Sequence, residues 1–168
     1  ACFLHITERD KEAESLMKEI EIAAGKAPLT YEQATINLVK AQILHSSGKQ
    51  KDAEKLLKGL YSDLRYKKLP HWPMASYLYA NDLALSGKKK EACAVYMEVA
   101  LDDKKSEYAP MALLALALSE ANYGNKAQAE EACTLLIRKF SKTPYKDAAD
   151  TLKRAVKHAE ENELISIG

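Results

Sequence analysis

An all-α fold, built as a stack of helical hairpins, is what the sequence predicts. Three observations predict it. A turn pattern returns at near-constant spacing, and apolar residues on both sides of that turn come at helical rather than alternating intervals. The composition is rich in good helix formers, with only six Gly and five Pro in 168 residues.

The turn pattern reads SGKQKDAEKLL at 47–57, SGKKKEACAVY at 86–96 and YGNKAQAEEAC at 123–133. Each copy places a Gly (Gly48, Gly87, Gly124) five residues ahead of an Ala. Aligned on that Ala, an earlier copy joins them: Ala13, Ala53, Ala92 and Ala129 are 40, 39 and 37 residues apart. Spacings of this size mark stacked supersecondary units, none of which can bury its own apolar face. A glycine suits the turn because a left-handed backbone there costs it nothing. The first copy has Glu8 in the glycine's place, so residues 1–29 form a partial unit. ACFLHI reads as the end of a helix whose beginning precedes the sequence.

The elements follow in order. TYEQATINLVKAQILHS (30–46) begins with Thr30 as N-cap and Gln33 three residues on, the capping-box spacing. Its partner carries the stripe Ala53, Leu56, Leu57 and Leu60, completing a unit over about 30–66. PMASYLYANDLALS (73–86) starts with Pro at a helix N-terminus, where the missing N–H costs nothing. It pairs with the stripe Ala92, Val95, Tyr96 and Val99 to make a unit over 73–103. SEYAPMALLALALSEANY (106–123) has Ser106 as cap and Pro110 in its first turn. The stripe Ala129, Ala132, Cys133 and Leu136 closes that unit, 106–140. A final charged helix, about 145–161, has no successor and caps the stack.

These units resemble tetratricopeptide repeats (TPRs). In that family a small residue seven positions before the turn glycine lets paired helices approach, and Ala41, Ala80 and Ala117 stand there. The small residue five after the glycine is Ala53, Ala92 and Ala129. The bulky position four further on is Leu57, Tyr96 and Cys133, of which Tyr96 matches best. The units are longer than the family's usual 34 residues, and a link such as RYKKLPHWP (65–73) absorbs the difference. The resemblance implies a right-handed α-solenoid over residues 1–168, a single TPR-like domain with a C-terminal capping helix. LIRKFSKTPYKDAADTLKRAV further resembles bacterial cell-envelope repeat proteins of the outer-membrane assembly, Tol–Pal-associated and translocon-associated types. That implies an envelope setting, periplasmic or membrane-tethered, with the cytoplasm as the alternative.

Function classes are narrowed by charge and motif. Lys+Arg and Asp+Glu number 25 and 24, a formal charge of +1, which disfavours a nucleic-acid surface. The longest apolar run, MALLALAL at 111–118, is too short to cross a bilayer, so any membrane association runs through an anchor outside this sequence. Cys2, Cys93 and Cys133 lack CxxC spacing. His5, His45, His71 and His158 form no metal-binding pair on a helix face. No catalytic residue, metal or cofactor is assigned. The lysines at 88–90 read as a solvated turn, since a phosphate cradle would need more glycines and backbone N–H groups.

What remains is a binding module. The family lines its concave groove with first-helix residues, which implies Leu38, Gln42, His45, Tyr77, Asn81, Ala84, Leu114, Leu118 and Asn122 here. Tyr and Asn there can hydrogen-bond a peptide while apolar neighbours take its side chains; the leucines serve equally well as core. Trp72, the only Trp, lies between prolines and reads either as a packed anchor or as an interface anchor. The Lys/Asn clamp that some family members use on chaperone tails would fall on Leu38 and Gln42, so that ligand is not implied. The expected partner is a protein or peptide bound by a scaffold or adaptor. The alternatives are self-assembly through the apolar ends ACFLHI and LISI, making a homo-oligomer, and a small-ligand carrier or helical-repeat enzyme.

Overall fold

A computed structural model describes residues 31–102 and 106–167, with side chains through residue 159, and the helical residues Glu12, Ser15, Lys18 and Glu19. The described residues form seven α-helices and no strands: α1 (Tyr31–Ser46), α2 (Gln50–Ser62), α3 (Trp72–Leu85), α4 (Lys89–Leu101), α5 (Tyr108–Asn122), α6 (Lys126–Lys139) and α7 (Tyr145–Ile167). A 3-10 turn, Tyr66–Lys68, sits between α2 and α3. The fold is all-α, as the helical spacing predicts. Thr30, the expected N-cap, and the apolar stripe around Ala13 lie outside the described residues.

The three hairpin turns share one hydrogen-bond pattern. Lys49 N–H donates to Leu44 C=O at 2.9 Å and Gly48 N–H to His45 C=O at 3.1 Å. Lys88 and Gly87 repeat this on Leu83 and Ala84, and Asn125 and Gly124 on Glu120 and Ala121. This is the Schellman closure, in which two of a helix's orphan carbonyls are capped by the chain that leaves it. It requires a left-handed residue, and φ is 75°, 76° and 81° at Gly48, Gly87 and Gly124. The residue after each glycine opens the next helix, so one glycine makes the whole reversal. Lys88–Lys90 is exposed in this turn, and Lys89 Nζ lies 4.4 Å from the Tyr123 ring centroid.

The chain divides into two compact units, Ala1–Asp82 and Leu83–Gly168, with the division inside α3. In the first, α1 packs on α2 and α2 on the 3-10 turn. Ala34, Leu38, Ala41 and Ile43 of α1 meet Ala53, Leu57 and Leu60 of α2 as its core. The link to α3 is pinned at several points. Asn37 Nδ2 donates to the Tyr66 hydroxyl at 2.7 Å, and the Trp72 indole N–H donates to Tyr61 C=O at 3.2 Å. The Tyr61 ring stacks near Trp72 and tilts against Tyr79, with centroids 6.2 and 5.3 Å apart. The residues that lengthen this repeat thus carry their own small core.

In the second unit α5 packs on α4, α6 and α7, and α6 also packs on α7. Three neighbours explain why α5 is apolar on most of its circumference: Ala109, Ala112, Leu113, Leu116 and Ala117 are all buried. Ser106 Oγ accepts from Tyr108 N–H at 3.1 Å, capping α5 as its position predicts. Pro110 lies in the first turn, where no intrahelical donor is lost. Helix α7, expected to end near residue 161, continues to Ile167 and buries Ala149 and Val156.

Candidate partner-binding site

The small residues that let each helix pair approach are fully enclosed. Ala53, Ala80, Ala92, Ala117 and Ala129 are 0% exposed and Ala41 is 1%. With those faces committed to packing, other helix faces stay open, and the expected groove residues are found on some of them.

In the first unit, Gln42 is half-buried on α1 and His45 is exposed near its end. On α3, Tyr77 and Asn81 are half-buried. Leu38 is buried and belongs to the core rather than to any open face. His45 has a partner that the sequence reading missed. Its Nε2 lies 2.9 Å from Asp82 Oδ1, with the imidazole 45% exposed and the carboxylate 1% exposed. The approach is close, although neither carboxylate oxygen meets a well-aligned hydrogen-bond donor. Burial pushes the Asp82 pKa up; the neighbouring His45 opposes that shift, and the Glu54 charge adds to it. The available signal was positional: an Asp directly before the buried Leu83, one repeat length after His45.

Two other side chains of this unit have settled roles. Trp72 is 1% exposed, so its ring is spent on packing and presents no surface to a partner in this conformation. The Thr35 hydroxyl donates to Tyr31 C=O at 3.0 Å. It therefore accepts from His71 Nε2–H at 2.9 Å, leaving His71 Nδ1 buried without a partner. Burial lowers the His71 pKa, which keeps this ring neutral at physiological pH.

In the second unit, Leu114, Leu118 and Asn122 follow one another at i, i+4 and i+8 along one face of α5. Leu114 is half-buried, Leu118 is 45% exposed and Asn122 is exposed. Leu113, Leu116 and Ala117 satisfy the core beneath them. An apolar stripe that the core does not use therefore remains in water. Ala84, the remaining groove position, is half-buried.

The two described cysteines, Cys93 and Cys133, are both held in the thiol form. Cys93 is half-buried and its thiol pKa is pushed up to about 12, first by burial and then by donating to the Glu120 carboxylate. Cys133 is buried and shifted the same way, again chiefly by burial. Among the described residues no cluster of three or more His, Cys, Asp or Glu is placed to hold a metal ion, and no helix is long and apolar enough to cross a membrane. No protein-family model and no curated protein matches the chain.

Proposed function

We propose that the chain is a non-catalytic protein-interaction module of TPR type, a scaffold or adaptor that holds a protein or peptide partner on its first-helix faces. The observation that carries this reading is the α5 stripe, where Leu118 stays 45% exposed beside a complete core. Burying such a stripe against a partner would release water from apolar surface and stabilise the complex. Asn122 extends the stripe with a polar group suited to a peptide backbone. In the first unit, Tyr77 and Asn81 on α3 and Gln42 and His45 on α1 would supply further contacts. The repeated Gly–Ala hairpins support the family assignment, and the LIRKFSKTPYKDAAD segment supports an envelope setting.

The test compares wild type with Leu118→Asp and with Tyr77→Ala/Asn81→Ala as bait in extract of the source organism. We expect a partner enriched on wild type and depleted at least roughly tenfold on Leu118→Asp, at unchanged melting temperature, as for loss of one apolar anchor. Equal enrichment on all three baits would reject these faces as the binding site.

A second reading, self-association, is favoured by Leu64, Leu85 and Leu101, which are 77%, 70% and 53% exposed near helix ends. It predicts a mass that falls on dilution through the micromolar range; a constant monomer mass excludes it.

A further inference from the structure

On the face of α5 opposite the Leu114–Leu118 stripe, the second unit holds a cleft of about 330 Å³ between α4 and α6. Its floor is apolar: Met97 from α4, Leu116 from α5 and Leu135 from α6. Leu116 is buried, Leu135 half-buried, and Met97 is 36% exposed, so the floor is accessible from outside.

The two ends differ in charge. Glu120 is tied to the α5–α6 turn, where it accepts from Asn125 Nδ2 at 2.6 Å. Glu131 lies on the same wall, in the first half of α6, whereas Arg138 lies in its last turn. Glu131, Leu135 and Arg138 are spaced i, i+4 and i+7, on one face of α6. At 1.5 Å of rise per residue, the acidic and basic ends are roughly 10 Å apart along the helix, with the apolar floor between them.

We infer that this cleft is a docking site for an amphipathic helical peptide of a partner protein. The peptide seats a bulky apolar side chain on Met97, Leu116 and Leu135, with a Lys or Arg facing Glu120 and Glu131 and an Asp or Glu facing Arg138. Charge complementarity selects this occupant. A purely apolar segment would leave charges of both signs at the rim uncompensated, and a uniformly basic or acidic one would repel one end. The volume is at the lower limit for ligand pockets, room for side chains rather than for a backbone. This contact is separate from the α5 stripe proposed above and does not depend on it.

Three synthetic helical peptides test the site, each with a central Leu flanked at the matching spacing by Lys and Glu, by Lys and Lys, or by Glu and Glu. Binding is read at low ionic strength from the ¹³C-methyl resonance of Met97, assigned through Met97→Leu. The mixed peptide is expected to bind wild type roughly fivefold tighter than either uniform one, the order that two exposed ion pairs supply. Arg138→Glu, an exposed change that leaves the core untouched, is expected to transfer the preference to the Lys–Lys peptide. Affinities within about twofold for all three peptides on both proteins overturn the proposal. So does binding that leaves the Met97 methyl unshifted, or no binding up to about 1 mM. Saturable binding of leucine amide without any peptide would make the cleft a small-ligand pocket, which also overturns it.

Discussion

At the scale of single residues, Asp82 ties stability to pH. Its carboxylate is 1% exposed and faces one imidazole, and its folded pKa is raised above the ordinary 3.8, chiefly by burial. A raised folded pKa means that the native state binds the proton more tightly than the unfolded chain does. The contribution of Asp82 is therefore fully present below pH 3.8 and is lost as pH rises through the folded value. Asp82→Asn is expected to flatten that decline and to raise the melting temperature at pH 7.5. Parallel pH profiles for wild type and variant would show that Asp82 is not the group responsible. Cys93 makes a second residue-scale case. With its thiol pushed up to about 12, roughly one molecule in ten thousand is thiolate at pH 8. Alkylation by iodoacetamide is expected to be far slower than for a free thiol. Glu120→Gln removes a carboxylate that opposes ionisation, so it should speed the reaction.

At the scale of elements, two glycines separate conformation from space. A Cβ added at Gly59 or Gly87 meets nothing within 4 Å, but only Gly87 has positive φ, at 76°. Gly59 lies inside α2 (Gln50–Ser62), where glycine is a poor helix former. Gly59→Ala is expected to stabilise by about 0.5–1 kcal/mol. Gly87→Ala forces an L residue into the left-handed region and is expected to cost about 1–2 kcal/mol. Urea unfolding of both variants checks the pair, and matching signs would refute this account of the turn. The same logic explains why the hairpins were legible in advance. A Schellman closure favours glycine at its left-handed position, and the paired helices need a small residue where they meet. Gly48, Gly87 and Gly124 with their alanines spell that requirement in the chain itself.

At the scale of the whole molecule, each helix beyond the first of a hairpin relies on a neighbour for its burial. Helix α7 is the clearest instance: rich in charged residues, it docks on α5 and α6 through a narrow face that includes Ala149 and Val156. Val156→Asp places an unpaired charge against that face and is expected to cost about 3 kcal/mol or more. Ala155→Asp, one residue away and exposed, should change stability by less than about 0.5 kcal/mol. Thermal unfolding of the two variants reads the difference. Equal losses would mean that α7 is held by its polar residues instead.

By itself the sequence determined what depends on neighbours close along the chain: helical periods, turn glycines, the cap at Ser106 and the small residues of each hairpin. These are legible because backbone sterics and helix geometry act over four to seven residues. The tertiary structure decided what depends on neighbours carried by other elements. It enclosed Trp72 and set it beside Tyr61, placed His45 against Asp82, and left Leu118 in water while its neighbours Leu116 and Ala117 entered the core. It also opened the cleft over Leu116, whose walls come from three helices. Spacing shows which side of a helix is apolar. Only the packed neighbours determine how much of that side they cover, and the uncovered remainder is where a partner can bind.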